Sequence, residues 1–223
     1  DCIAAHANQS RIHNFNLNDK DNCLYSPDVI SFAREKGYFS GKNTDFSFAD
    51  AYCPLDFSGL RFCEARVWSF YNMFSKSTGD AYLPYILGKS KEPMPLYIKA
   101  DSKLSVRDIQ RAMRDHYEGT PLDITKDMGT GAFETPYRLS PLTFKVDGVE
   151  YFNERPISTQ QSAFSFVSQM RANLPDPVGG VLWFGLDDAN MTVFTPVYCC
   201  TDRIPAPYAE GNGDCVTFSW DSA

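Results

Sequence analysis

A predicted helix ends and a polar turn begins at Met113-Arg114-Asp115-His116-Tyr117-Glu118-Gly119-Thr120-Pro121-Leu122-Asp123. The helix begins with the capping signal Ser105 and Asp108, after which apolar residues recur at helical spacing. Glycine and proline at positions 119 and 121 are typical helix-stop residues, so we predict a helix over residues 105–117. Predicted helices lie before this stretch and predicted strands after it, which indicates an α+β fold.

The same stretch places His116 and Glu118 together at the predicted helix end. The partial negative charge of a helix C-terminus favours a protonated imidazole there. A pair of this kind most often satisfies helix-end carbonyls and its own members, and the alternative is a role in a site. We predict that both residues lie beside a substrate cleft and assign them as substrate-binding candidates.

Two further helices are predicted on the N-terminal side. Ser26 as N-cap, Pro27 as first helical residue and Gly37 as stop delimit a short helix, and a longer one covers residues 60–74. Residues 2–12 are predicted to be a buried strand that leads into a polar turn. Residues 75–95 contain two glycines and three prolines, so we predict a surface excursion there.

Strands are predicted in the last third of the chain. Asp147-Gly148 between two apolar runs is typical of a two-residue hairpin. Further strands are expected at residues 163–170, 181–186 and 191–198, with Asp187 and Asp188 in the turn between the last two. These two aspartates resemble a metal-binding pair, but no other carboxylates stand at ligand spacing, so we assign them to the turn. We predict a single α+β unit over residues 1–223 with mostly antiparallel sheets flanked by helices.

The composition restricts the classes of partner and cofactor. The net charge of −7 and the absence of a basic stripe argue against nucleic acid and against an anionic membrane surface. No apolar run approaches the roughly 18 residues of a membrane span. The seven cysteines form no C-x-x-C pair and only three histidines accompany them, so we expect no metal and no cofactor. Cys63 fits a small buried hydrophobe, whereas a disulfide from Cys199 or Cys200 to Cys215 is left open.

Several stretches recur in the order of one known family. They are Asn8-Gln9-Ser10-Arg11-Ile12, Tyr25-Ser26-Pro27, Phe46-Ser47-Phe48-Ala49, His116-Tyr117-Glu118-Gly119-Thr120, Gly179-Gly180-Val181-Leu182-Trp183-Phe184-Gly185, Asp187-Asp188 and Thr195-Pro196. Together they resemble the cysteine dipeptidases of the N-terminal nucleophile (Ntn) hydrolase superfamily, related to penicillin V acylases and bile salt hydrolases. The resemblance runs over nearly the whole chain.

This resemblance implies a four-layer sandwich and amide hydrolysis by a cysteine that becomes residue one after processing. The thiolate attacks the scissile carbonyl, and the α-amino group, with a pKa near 8, acts as the base. Asp1 precedes Cys2, and the segment around Cys2 resembles the middle of such an enzyme. We therefore expect an internal fragment, the central and C-terminal part of the catalytic domain, without the nucleophile.

The resemblance also implies roles for two residues. Asn8 matches the family's oxyanion or substrate-amide partner, and Arg66 matches the arginine that supports the thiolate electrostatically. Arg61 lies close by in the sequence and is the alternative for that position. We assign Asn8 and Arg66 as candidate catalytic residues.

A second hypothesis comes from a different class of protein. The aromatic residues Trp68, Trp183 and Trp220 could line a groove of a non-catalytic peptide- or glycan-binding module. The ordered motifs favour the dipeptidase, with short peptides as substrates. We also expect export to the bacterial periplasm or the extracellular space, with the cytoplasm as the alternative, and leave open whether a homo-oligomer forms.

Overall fold

The computed structural model describes residues 2–127, 129–138 and 143–204. The chain divides into two compact units, residues 1–160 and residues 161–223. The first unit contains β1 (Ile3–Ala4), α1 (Val29–Glu35), α2 (Phe48–Tyr52), α3 (Phe57–Gly59), a π-helical turn (Leu60–Glu64), α4 (Ala65–Phe74), α5 (Lys76–Ile86), β2 (Tyr97–Ile98), α6 (Val106–Ala112), β3 (Thr143–Val146), β4 (Val149–Phe152) and 3₁₀ turns at Asn43–Asp45 and Ala132–Glu134. The second contains β5 (Phe164–Met170), α7 (Asp176–Gly179), β6 (Gly180–Leu186) and β7 (Thr195–Tyr198).

The main core of the first unit forms around α4. The helix predicted over residues 60–74 is confirmed, and its first five residues take the wider π-helical form. Its apolar stripe faces inward as the periodicity predicts. The buried cluster comprises Leu60, Ala65, Val67, Trp68, Tyr71, Tyr85, Ile86, Met94, Ile98, Tyr117, Leu122 and Ile124.

The surface excursion predicted at residues 75–95 is wrong for its first half, because α5 occupies residues 76–86 and packs on α4. Gly79 lies where the two helices meet, and its carbonyl accepts a 2.8 Å hydrogen bond from the Trp68 indole. Pro84 stands in the last turn of α5, where a missing N–H costs one helical hydrogen bond at most. Packing against α4 therefore outweighs the helix-breaking tendency of both residues.

The helix starts and stops are confirmed in part. The predicted helix after Ser26 is present as α1, but it begins at Val29, two residues later than expected. The capping box at the start of α6 is present as predicted, with reciprocal hydrogen bonds between Ser105 and Asp108. The predicted end of α6 is wrong, because the helix stops at Ala112 rather than at residue 117.

Within the described residues, the strands form three small antiparallel sheets. β1 pairs with β2 through Ile3 and Ile98, and β3 pairs with β4 around Asp147 and Gly148, whose φ angles of 50° and 80° confirm the predicted turn. In the second unit β5, β6 and β7 are neighbours in that order, and the last two turn back on each other as predicted, but β7 begins at Thr195, four residues later than expected. Asp188 Oδ1 accepts backbone N–H groups of Asn190 and Met191, which fits its assignment to the turn.

These elements confirm a mixed α+β class with small antiparallel sheets, while the four-layer sandwich stays a prediction. Within the described part of the chain, no helix combines the length and the apolar composition needed to cross a bilayer.

Candidate active site

Asn8 lies at the middle of a loop that residues 5–11 form just after β1. The loop is closed by Arg11, whose Nη1 donates to the carbonyl of Ala5 at 3.1 Å. The Gln9 amide donates to the carbonyl of Cys53, and its side chain is buried, whereas Asn8 bonds to Arg66. Asn8 itself is exposed, as a group that contacts a substrate must be.

Arg66 contacts Asn8 directly. Its Nη2 atom donates to Asn8 Oδ1 at 2.6 Å, and its Nε atom donates to the carbonyl of Phe62 at 2.6 Å. The same Nη2 atom lies 3.8 Å from Cys63 Sγ, a buried thiol as predicted. A guanidinium has only donors, so it holds the amide oxygen of Asn8 and leaves the Nδ2 donors pointing elsewhere. The structure thus brings together the two predicted catalytic residues, which are 58 positions apart.

Arg61 has a different environment. Its guanidinium forms an ion pair with Glu154, and both side chains are largely buried. Burial lowers the pKa of Arg61 from its ordinary value. The contact with Asn8 therefore favours Arg66 over Arg61 as the arginine that supports the thiolate in the family.

His116 and Glu118 form a hydrogen-bonded pair in the turn after α6. His116 Nδ1 lies 3.0 Å from Glu118 Oε1, and the His116 backbone N–H donates to Glu118 Oε2 at 2.7 Å. The imidazole is 2% exposed and its Nε2 is buried without a hydrogen-bond partner among the residues that the structure describes, whereas the Glu118 side chain is 52% exposed. Burial alone would raise the pKa of Glu118, but the hydrogen bonds from His116 hold it below its ordinary value.

The residues around this pair explain why α6 ends early. Tyr117 has a φ of 65° and its hydroxyl donates to the carbonyl of Arg155 at 2.7 Å, which turns the chain inward. Glu118 takes the backbone N–H that a helix would have used. His116 and Glu118 therefore lie in a turn beyond the helix, rather than at its C-terminal end as predicted.

Asp115 connects this turn to the helix that carries Arg66. Asp115 is 8% exposed, and its Oδ2 accepts a hydrogen bond of 2.6 Å from Ser69 Oγ. Ser69 lies three residues after Arg66 on α4, on the same side of the helix. The two predicted pairs do not contact each other directly, but α4 joins them.

Sequence reasoning missed the buried ion pair of Arg11 and Glu64. Arg11 Nε lies 3.0 Å from Glu64 Oε1, with the side chains 4% and 5% exposed. Burial raises the pKa of Glu64, and the positive charge and hydrogen bond of Arg11 oppose this. Glu64 lies on the apolar stripe, four residues after Leu60 and three before Val67, which is the sequence signal for a buried partner.

A cavity of about 380 Å³ lies beside the 5–11 loop. Its walls include Gln9, Arg11 and Glu64 but neither Asn8 nor Arg66, so it adjoins the other side of the loop. Among the residues that the structure describes, no cluster of three histidine, cysteine or acidic side chains has a metal-site arrangement.

The aromatic groove of the second hypothesis loses one of its predicted members. Trp68 is 2% exposed and belongs to the main core. Trp183 is half-buried in β6, and Trp220 lies outside the described residues. Cys215 also lies outside them, so its pairing with Cys199 or Cys200 stays a prediction.

Comparison with known proteins identifies the class. The family model "Peptidase family C69" matches residues 1–220, which places the chain among the peptidases. The chain belongs to peptidase family C69, the Ntn-type cysteine dipeptidases that the ordered motifs resemble.

Individual relatives agree with this assignment. The chain is 26% identical to a probable dipeptidase of Salmonella dublin over 86% of its length and 38% of the relative. It is 26% identical to a probable dipeptidase of Latilactobacillus sakei over 94% of its length and 39% of the relative. Dipeptidase A of Lactobacillus helveticus is 19% identical over 89% and 36%. The chain thus spans about two fifths of the length of the curated relatives it matches.

Proposed function

We propose that the full-length protein hydrolyses dipeptides with an N-terminal cysteine nucleophile that lies outside this chain. Asn8 and Arg66 are its polar partners in the site. The observation that carries this proposal is the 2.6 Å hydrogen bond from Arg66 Nη2 to Asn8 Oδ1. Membership of family C69 and the names of the dipeptidase relatives support the choice of substrate.

Asn8 is suited to stabilise the oxyanion that forms when a thiolate attacks a peptide carbonyl. Arg66 fixes the amide by its oxygen, so the Nδ2 donors stay available on an exposed face. A donor that is held in place before the reaction needs no reorganisation as the charge develops. The loop closure by Arg11 adds to this rigidity.

Arg66 supplies a positive charge to the same region. A guanidinium stays protonated at all working pH values, and a nearby cation favours the thiolate over the thiol. The two hydrogen bonds that Arg66 donates, to Asn8 and to the Phe62 carbonyl, fix the direction of the charged group. We assign it electrostatic support of the nucleophile.

Glu118 is the substrate-binding member of its pair. Its half-exposed carboxylate has a depressed pKa, so it is ionised at neutral pH and can bind the free α-ammonium of a dipeptide. His116 is buried and orients this carboxylate through its ring and its backbone N–H. The proposal therefore gives Glu118 the direct contact and His116 an indirect one.

We expect the full-length protein to adopt the four-layer sandwich of Ntn hydrolases. The antiparallel pairing of all three sheets and the helical hairpin of α4 and α5 are compatible with that architecture. Export from the cytoplasm and formation of a homo-oligomer stay predictions.

Replacement of Asn8 by alanine in the full-length protein tests the proposed function. Loss of one oxyanion donor should lower kcat for a dipeptide by about 10²–10³ and leave the melting temperature nearly unchanged. Asn14→Ala, at an exposed asparagine of the following connector, is the matched control and should keep the parent kcat. Near-normal kcat in the Asn8→Ala protein would remove Asn8 from the site.

A further inference from the structure

The guanidinium of Arg11 contacts both the loop that carries Asn8 and the helix that carries Arg66. We propose that Arg11 and Glu64 act as a positioning pair, which holds Asn8 at the distance where Arg66 can bind it. Neither residue touches the substrate in this proposal. The inference rests on the proposed function, since it concerns the geometry of that same site.

The first step is the closure of the loop. Arg11 Nη1 donates to the Ala5 carbonyl at 3.1 Å, so the two ends of the 5–11 segment are joined by one side chain. Asn8 lies midway between the joined residues. Closing the loop reduces the backbone freedom of the residue at its tip.

The second step is the attachment of this loop to the helix. Arg11 Nε lies 3.0 Å from Glu64 Oε1 and 3.3 Å from Glu64 Oε2. Glu64 is the last residue of the π-helical turn and precedes Arg66 by two positions on a continuous helix. One ion pair therefore sets the separation between the backbone of Asn8 and the backbone of Arg66.

The third step is the immobilisation of the guanidinium itself. Its Nη2 atom donates to the carbonyls of Met94 and Pro95 at 3.1 and 3.0 Å, and Nη1 lies 3.3 Å from the Tyr71 hydroxyl. These partners come from α4 and from the segment before β2. Only the planar fork of an arginine reaches partners in this many directions, and a lysine does not.

Net stability alone is a weak reason for a buried ion pair at this position. A buried salt bridge usually costs as much in lost hydration as it gains in attraction, so it is a weak source of stability. Its side chains are 4% and 5% exposed, which excludes a direct role with a substrate on the exposed side of Asn8. Fixing the geometry of the Asn8 loop accounts for its position.

A double-mutant cycle in the full-length protein tests this proposal. Glu64→Gln keeps the size of the side chain and removes its charge, whereas Arg11→Lys keeps the charge and removes the fork. We expect either change to lower kcat for a dipeptide about tenfold with a smaller change in KM. Adding Asn8→Ala to the Glu64→Gln protein should then cost clearly less than Asn8→Ala costs in the parent, because interacting residues are not additive.

Tyr52→Phe is the control for a purely structural effect. It removes the hydrogen bond from the Tyr52 hydroxyl to the Val29 carbonyl, in the separate cluster around α1. This change should lower the melting temperature and leave kcat and the cost of Asn8→Ala unchanged.

Three results would overturn the positioning role. They are additive effects of the Glu64 and Asn8 changes, an unchanged kcat in both single variants, and failure of both variants to fold, since the last would make the pair a requirement of stability. A parent enzyme that tolerates Asn8→Ala would refute the proposed function, and the positioning role with it. Additivity with a large effect of Asn8→Ala would refute the positioning role alone.

Discussion

Among the acidic side chains near the site, Asp115 has the pKa that its surroundings raise most. Burial raises its pKa from the ordinary 3.8 to about 6, and the negative charge of Glu118 adds to this. The Ser69 hydroxyl, the backbone N–H of Tyr117 and the charge of His116 act in the opposite direction without cancelling the effect.

This raised pKa predicts a pH-dependent stability. The folded state binds the Asp115 proton more tightly than the unfolded state, so its stabilising effect is complete below about pH 4 and is lost as the pH rises through about 6. The difference between a pKa of 3.8 and one of about 6 corresponds to about 3 kcal/mol of folding free energy. Asp115→Asn keeps an acceptor for Ser69 and lacks this titration. The free energy of unfolding of the Asp115→Asn protein minus that of the parent should therefore increase, by up to about 3 kcal/mol, as the pH rises from 4 to 7.

Chemical denaturation at several pH values measures the difference. Asp176→Asn, at an exposed aspartate of α7, serves as the control. A difference between the Asp115→Asn protein and the parent that stays constant from pH 4 to pH 7 would show that folding does not raise the pKa of Asp115.

The sequence predicts which individual residues belong to the candidate site, but it does not predict the contacts between them. Asn8 and Arg66 were assigned from ordered motifs, and His116 with Glu118 from a local pattern. The contact between Asn8 and Arg66 spans 58 residues and depends on how a loop and a helix pack, which periodicity does not specify. Arg11 has no local signal at all, because its partners come from three separate segments of the chain, the loop at Ala5, the helix of Glu64 and Tyr71, and the segment of Met94.

Among the elements, the pair of α4 and α5 depends on the absence of a side chain at Gly79. A Cβ atom added there would lie 2.7 Å from Asn72 Cβ on α4 and still closer to the end of the Asn72 side chain. Overpacking usually costs about 1–3 kcal/mol, and the better helix propensity of alanine offsets roughly 1 kcal/mol of that cost. We therefore predict that Gly79→Ala lowers the free energy of unfolding by up to about 2 kcal/mol.

Thermal or chemical denaturation of the full-length protein checks the effect of Gly79→Ala. Ser77→Ala, at an exposed position of the same helix, should be close to neutral. Combining Gly79→Ala with Asn72→Ala removes part of the clash and should restore part of the stability. A Gly79→Ala protein as stable as the Ser77→Ala control would show that the helices can move apart freely.

Elements defined by local chemistry were predictable, and those defined by packing were not. The Asp147-Gly148 hairpin and the capping box of α6 follow from residues within a few positions of each other. α5 was missed because Gly79 and Pro84 are helix breakers in isolation, whereas the contact with Trp68 and Asn72 stabilises the helix. The early end of α6 likewise depends on the distant partner of Tyr117, the Arg155 carbonyl.

The proposed site is divided between this chain, which carries Asn8 and Arg66, and the rest of the full-length protein. This division predicts that the chain alone and the full-length protein differ in activity. The chain spans about two fifths of the length of its dipeptidase relatives, and the proposed function places the cysteine nucleophile outside it. We therefore predict that this chain alone does not hydrolyse a panel of dipeptides that the full-length protein cleaves. Turnover by the purified chain that Cys2→Ala abolishes would contradict this.

The π-helical turn at Leu60–Glu64 has a consequence for the evolution of this helix. One residue more per turn shifts the phase of everything that follows by about 100° relative to a regular α-helix. Losing a single codon within the turn would therefore convert it into regular α-helix and leave the residues on either side in phase, with Arg66 still facing Asn8. We expect natural variants to include proteins that are one residue shorter in this segment and keep the contact between the asparagine and the arginine.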